Sequence, residues 1–139
     1  KAYSKEMALE YPAKFLLVED QPLNQKIVSM MLKKLGYEVD IAPNGLEGAN
    51  TVNESGEYDM VIMDLQMPVL GGIDSTRLIR KNFDLPKQPV IVAMTGHALT
   101  GVRESCLEVG MDDFLTKPVA LDELRQAIMR NHTKLAKVA

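Results

Sequence analysis

The residues of this chain that could do chemistry together are three carboxylates, one hydroxyl and one ammonium. Each stands at or just after the end of a short apolar run, and they are Glu19, Asp20, Asp64, Thr95 and Lys117. Carboxylate oxygens are the ligands that hard divalent cations prefer, and such a cation can bridge to a phosphate. The set therefore indicates metal and phosphate chemistry, provided that the fold brings the five residues together.

The charges of this set support the same interpretation. Carboxylates held close together raise one another's cost of ionisation, and Lys117 can offset only one of the three. A divalent cation with oxygen ligands would relieve the repulsion. Mg²⁺ fits best because it commonly takes one or two carboxylates, keeps several waters and bridges to a phosphoryl oxygen. The charges alone therefore predict a Mg²⁺ site and, with it, a bound phosphate.

Each of these residues also has an ordinary structural interpretation when it is taken alone. Glu19 and Asp20 stand just before Pro22 and could simply begin a helix, and a single threonine or lysine after a strand is most often a loop or surface residue. Asp64 is harder to explain in this way, because it follows four apolar residues and an unpaired charge near the core is costly. The five together, each at the same end of a strand, favour a functional site.

The elements that must position this set follow from the pattern of apolar residues. Three of the five short apolar runs are apolar at successive positions, which is typical of strands covered on both faces. All five are predicted to be strands, and they are Phe15–Val18, Tyr37–Ile41, Met60–Met63, Val90–Met94 and Asp113–Leu115.

The segments after the strands repeat apolar residues at helical spacing. Pro22 suits the first position of a helix, Gly36, Gly56 and Gly110 stand where helices end, and Pro86 ends another. The apolar stripes of the five predicted helices are Leu23, Ile27, Met31 and Leu35; Leu46, Ala49 and Val52; Ile73, Thr76, Ile79 and Phe83; Ala98, Val102 and Cys106; and Leu121, Leu124, Ile128 and Leu135. Each predicted strand is therefore followed by a helix.

This strand–helix alternation, repeated five times, defines a fold class. It implies parallel strands, right-handed crossovers and helices on both faces of one sheet. We predict a (βα)5 flavodoxin-like, doubly wound α/β fold with strand order 2-1-3-4-5, which places ligands at the carboxyl ends of the first and third strands. Residues 13–137 are predicted to form this domain and residues 1–12 an N-terminal tail or linker.

Composition disfavours several other classes of protein. The chain has 139 residues, enough for one domain with a sizeable core. Its net charge of −3 disfavours direct contact with nucleic acid, and a single cysteine, Cys106, cannot form an internal disulfide. The longest uncharged run, Gln88 to Val102, is shorter than the ~20 residues of a membrane span. We expect a cytoplasmic domain without membrane contact of its own. It either stands alone or, as Lys at position 1 favours, belongs to a longer chain.

Four motifs carry a resemblance to a known family. They are LLVEDQPLNQ (Leu16–Gln25), VIMDLQMPVLGG (Val61–Gly72), VIVAMTGHA (Val90–Ala98) and DDFLTKPV (Asp112–Val119). Each motif is moderately specific, but four in this order and spacing are highly specific. From about Ala13 to His132 the chain resembles the receiver, or response-regulator, domain of two-component phosphorelays. It looks most like the receivers that are fused to hybrid sensor histidine kinases.

The resemblance implies a role for each residue of the acidic set. Asp64 would accept a phosphoryl group from a phosphohistidine. Asp20 and Asp64 would bind Mg²⁺ directly, together with the backbone carbonyl of Gln66, while Glu19 would act mainly through a metal-bound water. The bond between Lys117 and Pro118 would be cis, which is uncommon for X-Pro bonds in general.

Further roles are implied for residues around the phosphoryl group. Thr95 would hydrogen-bond one phosphoryl oxygen, and Lys117, kept charged by the acceptor carboxylate, would pair with another. Phe114 would be the switch aromatic, turning inward so that the fourth helix, fifth strand and fifth helix become the readout face. Gln66 and His97 would flank the path of the attacking water and so set the lifetime of the phosphoryl group.

Three segments depart from the commonest form of the family. The acidic pair is Glu-Asp where Asp-Asp is frequent, a variant that should keep metal binding. Val69–Gly72 follow Met-Pro where Met-Asp-Gly is frequent, and Gly96-His97 stand where Ala-Asn is frequent. The first of these two differences affects the start of the third helix, and the second affects the rigidity of the loop beside the phosphoryl group.

The partner that the resemblance implies is a phosphohistidine donor, either a histidine kinase core or a histidine phosphotransfer domain. A helix of the donor would dock over Asp64 against the first predicted helix. Leu23, Asn24 and Ile27 are candidate contacts there, although Ile27 could equally lie in the core. The chain has no ATP-binding domain, so its own activity as an enzyme would be limited to self-dephosphorylation.

Three other functions compete with this one. A haloacid-dehalogenase-like phosphatase needs an acid two residues after its nucleophile, where this chain has Gln66. A flavodoxin needs a hydroxyl- and glycine-rich loop after the first strand, where Glu19–Pro22 would repel phosphate unless a cation intervened. A phosphorylation-independent interaction domain, or pseudo-receiver, would not need the whole set of acids, hydroxyl and lysine at once, and it stays open as the alternative.

Overall fold

Five strands and six helices make up the computed structural model, which describes residues 6–96 and 100–136. The strands are short and central, whereas most of the helices are longer. The strands are β1 (Phe15–Val18), β2 (Val39–Ala42), β3 (Met60–Asp64), β4 (Val90–Thr95) and β5 (Asp113–Thr116). The helices are α1 (Glu6–Glu10), α2 (Pro22–Lys34), α3 (Gly45–Ser55), α4 (Gly72–Arg80), α5 (Thr100–Glu108) and α6 (Leu121–Ala136).

The strands form one parallel sheet in the order β2-β1-β3-β4-β5. This confirms the predicted α/β fold and its strand order. The register places Val18 beside Met63, and Asp64 beside Met94. Because all strands run in the same direction, the residues that follow β1, β3, β4 and β5 meet at one edge of the sheet.

Two hydrophobic clusters cover the two faces of the sheet. Successive side chains of a strand point to opposite faces, so Phe15 and Leu17 belong to one cluster and Leu16 and Val18 to the other. The first cluster packs against α1, α2 and α6, and the second against α3, α4 and α5. Burial on both faces explains why β1, β3 and β4 are continuously apolar.

Helix α2 is where it was predicted, but only the second half of its predicted apolar stripe packs against the sheet. Leu23 is 68% exposed and Ile27 41% exposed. The residues that pack in the first hydrophobic cluster are Val28, Met31, Leu32 and Leu35. Val28 and Leu32 have the same helical spacing as the predicted stripe, so periodicity alone does not tell which residues face the sheet. Leu23 and Ile27 are therefore surface residues, and the core interpretation of Ile27 is wrong.

Helix α4 is shorter than its predicted apolar stripe. It ends at Arg80, and Phe83, which the sequence pattern includes in the stripe, lies beyond the helix and is 92% exposed. The carbonyl of Ile79 would bond to residue 83 in a longer helix. The Ile79 carbonyl accepts instead from the side-chain amide of Gln88 and from the N–H of Asn82. These two hydrogen bonds take the place of the next helical one, and the helix ends before Phe83.

Part of the segment that was predicted as a tail packs against the domain. Met7, on α1, is buried in the first hydrophobic cluster. The Tyr37 hydroxyl donates a hydrogen bond to the carbonyl of Tyr11, and the Tyr11 ring meets the His132 ring edge-on at a centroid distance of 4.9 Å. Through these contacts, residues 7–11 pack against Tyr37, in the loop after α2, and against the last turns of α6.

The loop between β3 and α4 contains one strained backbone position. Val69 has φ of 70° and its side chain is 73% exposed. A left-handed conformation costs an L-residue about 1–2 kcal/mol, and it is especially unfavourable for a β-branched side chain. Asparagine tolerates this conformation better than valine because its short polar side chain can bond locally.

We therefore expect Val69→Asn to raise the free energy of unfolding by about 1 kcal/mol, because little packing is lost at an exposed position. Urea denaturation monitored by circular dichroism measures the change. Val69→Ala is the matched control, since alanine removes the branch but keeps the cost of a left-handed Cβ, and it should gain less. Equal or lower stability of Val69→Asn would show that this backbone position carries no strain.

Asp113, the first residue of β5, is half-buried and binds two residues of α6. Its carboxylate accepts from Arg130 Nε at 2.7 Å, from Asn131 Nδ2 at 2.8 Å and from the N–H of Phe114 at 2.8 Å. Burial alone would raise the pKa of the Asp113 carboxyl, but these hydrogen bonds outweigh it and the pKa is lowered. The ionised carboxylate therefore stabilises the folded state above its ordinary pKa, and that contribution is lost as the pH falls through the folded-state pKa.

We expect Asp113→Asn to lower the free energy of unfolding by about 1 kcal/mol near neutral pH. The difference from the wild type should shrink as the pH falls below about 4, the ordinary pKa of aspartate, and it should vanish below the lowered pKa of the folded carboxyl. Urea denaturation across a pH series measures this dependence. The exposed Asp84 provides the control variant, Asp84→Asn, which should keep the wild-type stability near neutral pH. A deficit of Asp113→Asn that stays constant down to acid pH would contradict the interpretation.

Candidate functional site

Three carboxylates converge at the edge of the sheet where β1 and β3 end. Glu19 and Asp20 follow β1 and Asp64 is the last residue of β3, and one carboxylate oxygen of each lies within 4.8 Å of the others. Glu19 and Asp64 are almost completely buried, at 0% and 2% exposure, and Asp20 is half-buried. The structure thus brings together the acidic residues that the sequence singled out.

Lys117, just after β5, brings its ammonium group to these carboxylates. Its Nζ lies 3.1 Å from Asp64 Oδ1 and 3.5 Å from Glu19 Oε1. Its backbone N–H donates to the carbonyl of Thr95 at 2.7 Å, which ties the end of β5 to the end of β4. The Lys117–Pro118 peptide bond is cis, as expected. The predicted ion pair between Lys117 and Asp64 is therefore present.

Glu19 carries a charge that its surroundings only partly compensate. Burial is the largest cause that raises the pKa of its carboxyl. The N–H of Gln21, which donates to Oε2 at 2.9 Å, lowers this pKa, whereas the neighbouring Asp64 raises it, and the net shift is upward. A second positive charge beside Glu19 would favour its ionised form.

Two oxygens of the acidic pair fit a bound cation. Glu19 Oε1 and Asp20 Oδ1 are buried and have no hydrogen-bond partner among the described residues. Lys117 lies within ion-pair distance of Glu19 Oε1, but 3.5 Å is too long for a strong hydrogen bond. Buried carboxylate oxygens without a partner are costly, and a hard divalent cation would satisfy them. The donor set, all oxygen, suits Mg²⁺ or a cation of the same class.

Gln66 lies close to the acidic residues, at the start of the loop that follows β3. Its backbone N–H is 3.2 Å from Asp64 Oδ1. Its carbonyl is the atom that was predicted to bind the metal, and that role stays a prediction. The predicted role of His97 also remains open, because His97 lies outside the described residues.

Thr95 and Phe114 lie on neighbouring strands beside the acidic residues. Thr95, the last residue of β4, is buried at 6% exposure and lines a cavity of about 370 Å³ together with Gln66 and Val102. Phe114 is half-buried, and the guanidinium of Arg103 on α5 lies 4.1 Å from the centre of its ring. This cation–π contact joins the predicted switch aromatic to α5, and no spacing in the sequence indicated it.

An exposed apolar patch covers the beginning of α2, next to the acidic pair. It consists of Leu23, Ile27 and Met30, which are 68%, 41% and 51% exposed. The three residues share one face of the helix, because they are spaced by four and three residues. Leu23 and Ile27 were predicted as partner contacts, and Met30 was missed although it continues the same stripe.

Several residues that shape the site were missed by sequence reasoning. A Cβ on Gly72 would lie 2.4 Å from the carbonyl oxygen of Asp64, and a Cβ on Gly45 would lie 2.2 Å from that of Leu70. The buried Ser75 donates from Oγ to the carbonyl of Gly45 at 2.7 Å. These contacts hold the start of α3 against the loop after β3. The only sequence signal is a glycine at the first position of each helix, which by itself indicates no contact.

Gln25, the last residue of the first motif, is a further residue to which the sequence assigned no role. It lies in α2, and its side-chain Nε2 donates to the backbone carbonyl of Glu19 at 2.7 Å. Helix and strand periodicity predicts contacts within one element, and this contact joins α2 to the turn after β1. It depends on the angle at which α2 leaves the end of β1.

A parallel sheet flanked by helices, with buried carboxylates and a lysine at the carboxyl ends of its strands, is the arrangement that can be compared with known proteins. A family model described as the response regulator receiver domain matches residues 15–129, and this chain belongs to that family. Hybrid signal transduction histidine kinase G of Dictyostelium discoideum is 44% identical to it over 84% of this chain and 3% of its own length. Histidine protein kinase 1 of Candida albicans is 40% identical over 89% of this chain and 5% of its own length. The chain thus spans only a small part of these curated relatives.

Solved structures of receiver domains have the same fold. The receiver domain of sensor histidine kinase PA1611 from Pseudomonas aeruginosa, with magnesium coordinated in its active-site cleft, is 38% identical, with a TM-score of 0.78 over 87% of this chain and 98% of that one. A second match is the complex of the Saccharomyces cerevisiae histidine phosphotransfer protein Ypd1 with the receiver domain of its downstream response regulator Ssk1. The sequence identity is 33% and the TM-score 0.77, over 84% of this chain and 86% of the matched chain.

Within residues 6–96 and 100–136, no helix is long and apolar enough to cross a membrane.

Proposed function

We propose that this chain accepts a phosphoryl group on Asp64 from a phosphohistidine, with Mg²⁺ bound at Glu19, Asp20 and Asp64. The observation that carries the proposal is the contact of the buried Asp64 with Lys117, beside two carboxylate oxygens that have no hydrogen-bond partner among the described residues. A receiver fold used only for protein contacts has no need of this arrangement, because buried, crowded carboxylates reduce stability unless a cation is bound.

The transfer needs little covalent chemistry from the protein. An oxygen of the Asp64 carboxylate forms a bond to phosphorus while the P–N bond of the phosphohistidine breaks, and the electron pair of that bond returns to the imidazole. The product is an acyl phosphate. The Lys117 ammonium, 3.1 Å from Asp64, stabilises the negative charge on the transferring group. Bound Mg²⁺ would supply further positive charge to the phosphoryl oxygens.

The response to phosphorylation would begin at Thr95. Its hydroxyl would donate to a phosphoryl oxygen, which draws the end of β4 toward Asp64. Phe114 would then move inward, and α5, β5 and α6 would form the surface that signals the change. The contact of Arg103 with the Phe114 ring lies on this surface, so it would have to rearrange when the ring moves.

The apolar patch on α2 is the surface that we assign to the donor. The Ssk1 relative is recorded in complex with a histidine phosphotransfer protein. In the present chain Leu23, Ile27 and Met30 are exposed at the start of the helix that directly follows the acidic pair. A donor helix that buried these side chains would hold its phosphohistidine near Asp64. Burial of exposed apolar side chains would favour such docking.

Acetyl phosphate tests the proposed function without a cognate donor. We expect the wild-type protein to gain the mass of one phosphoryl group in the presence of Mg²⁺, and to gain none when the cation is removed with a chelator. Intact-protein mass spectrometry measures the gain. If the protein gains no mass under either condition and beryllofluoride with Mg²⁺ does not raise its melting temperature, the phosphorylation-independent interaction domain is the better assignment.

A further inference from the structure

We propose that Gln25 is a positioning residue for the cation site, whose side-chain amide fixes the relative orientation of Glu19 and Asp20. The inference rests on the proposed function, because it concerns the affinity of the acidic pair for Mg²⁺. It assigns a role to a residue that lies outside the set of acids, hydroxyl and lysine.

The contact itself joins two elements. Gln25 lies in the second turn of α2, and its Nε2 reaches back over six residues to the carbonyl oxygen of Glu19, at 2.7 Å. Gln25 is half-buried, so water competes only partly for this bond. The distance is at the short end of the range for an N–H···O bond, which indicates a well-formed contact.

The position of the accepting oxygen gives this contact its importance. The carbonyl of Glu19 belongs to the peptide unit that links Glu19 to Asp20. A peptide unit is rigid and planar, so fixing its oxygen fixes the plane and restricts the rotations on either side of it. Those rotations set the directions in which the two carboxylates leave the backbone. Gln25 therefore acts on both acids although it touches neither side chain.

The other hydrogen bonds around the acidic pair act on different atoms. The side-chain amide of Gln21 donates to Asp20 Oδ2 at 3.4 Å. The N–H of Glu19 donates to the carbonyl of Ala42 at 3.0 Å, and the N–H of Gln21 donates to Glu19 Oε2 at 2.9 Å. Gln21, at the N-cap of α2, makes no side-chain capping bond. Neither of the two backbone bonds restrains the oxygen of the Glu19–Asp20 peptide. Among these contacts only the Gln25 amide acts on that oxygen.

A purely structural role would have a different signature. A residue that only stabilised the start of α2 would lower the free energy of unfolding and leave the affinity for Mg²⁺ unchanged. A residue that orients ligands changes the affinity itself, and substitutions of this kind typically weaken metal binding about 10- to 100-fold. Measuring both quantities on the same variants separates the two roles.

The test uses Gln25→Met, which keeps the length and shape of the side chain but removes the donor. We expect its dissociation constant for Mg²⁺, measured by isothermal titration calorimetry, to rise about tenfold over the wild type. Lys26→Met is the matched control on the same turn of α2, and it should bind Mg²⁺ no more weakly than the wild type. Urea denaturation without Mg²⁺ verifies that both variants are folded.

A second variant, Gln25→Glu, separates orientation from charge. An added negative charge near the site would by itself strengthen Mg²⁺ binding. A glutamate cannot donate to the Glu19 carbonyl when it is ionised, so the positioning role instead predicts weaker binding. Weaker binding by both Gln25 variants supports the inference.

The possible failures are distinguishable. If Asp20→Asn abolishes Mg²⁺ binding but Gln25→Met binds within twofold of the wild type, the inference is wrong and the proposed function is unaffected. If the wild-type protein itself binds no Mg²⁺, the cation site fails and the positioning role fails with it. Tighter binding by Gln25→Glu would show that charge, not orientation, dominates at this position.

Discussion

The Asp64→Asn protein is expected to gain no phosphoryl group from acetyl phosphate, under conditions in which the wild type is modified. Asparagine has nearly the same shape as aspartate, but its amide oxygen carries no full negative charge and cannot form the acyl phosphate. Intact-protein mass spectrometry in the presence of Mg²⁺ gives the result directly, as the presence or absence of one phosphoryl mass. The expected effect is therefore complete loss of the reaction.

The same substitution should also make the metal-free protein somewhat more stable. Asp64 is buried beside Glu19, and its charge contributes to raising the pKa of the Glu19 carboxyl. Removing that charge relieves the repulsion between the two groups, so the melting temperature should not fall. Loss of the reaction then reflects chemistry and not unfolding.

Asp74→Asn is the matched control, because Asp74 is an exposed aspartate on α4 that pairs with Arg77. It should be phosphorylated as fast as the wild type. If Asp64→Asn gained the same phosphoryl mass as the wild type, another residue would be the acceptor and the proposed function would have to be revised. Peptide mapping of the modified protein would then locate that acceptor.

Replacing Lys117 by methionine should produce the second large effect. Lys117 is the cation that the structure places against Asp64 and Glu19, both of which are buried. Without it, we expect phosphoryl transfer from acetyl phosphate to slow about 100-fold, the usual cost of removing one preorganised charge from a transition state. The rate follows from the time course of the mass gain at a fixed concentration of Mg²⁺.

Lys117→Met should also destabilise the metal-free protein, by about 2 kcal/mol, because two buried carboxylates lose their nearest positive charge. Saturating Mg²⁺ should restore most of this loss, since in the proposed function the cation binds the same carboxylates. Urea denaturation with and without Mg²⁺ measures both changes.

Lys134→Met is the control for this experiment. Lys134 also makes an ion pair, with Asp112 at 2.9 Å, but its side chain is 52% exposed. A pair of that kind contributes little, so this variant should keep the wild-type rate and lose at most a few tenths of a kcal/mol. A Lys117→Met protein that reacted at the wild-type rate would show that the ammonium takes no part in the transfer.

The strands and the acidic site were predictable because their signals are local. A strand buried on both faces needs apolar residues at successive positions, and β1, β3 and β4 have them. Parallel strands present their carboxyl ends at one edge, so residues far apart in the chain were expected to meet. Glu19, Asp64 and Lys117 do meet there. The prediction succeeded because it needed only strand direction and strand order.

Helix faces and helix ends were less predictable. Helix α2 has two stripes of apolar residues at helical spacing, and only the packing shows that Val28 and Leu32 face the sheet. The pattern likewise extends past the end of α4 to Phe83, where the side chain of Gln88 takes the carbonyl that a longer helix would use. Local spacing is ambiguous in such cases because the competing contact comes from another part of the chain.

The amino-acid sequence alone is enough to predict the order of the elements, the class of the fold and the charged residues at the edge of the sheet. Three contacts became visible only in the folded chain: the Gln25 amide on the Glu19 carbonyl, the close approach of Gly45 to Leu70, and Arg103 over the Phe114 ring. These contacts join residues that no local rule relates. Periodicity and turn preferences act over a few residues, whereas these contacts depend on the angles at which helices leave the sheet and pack on it.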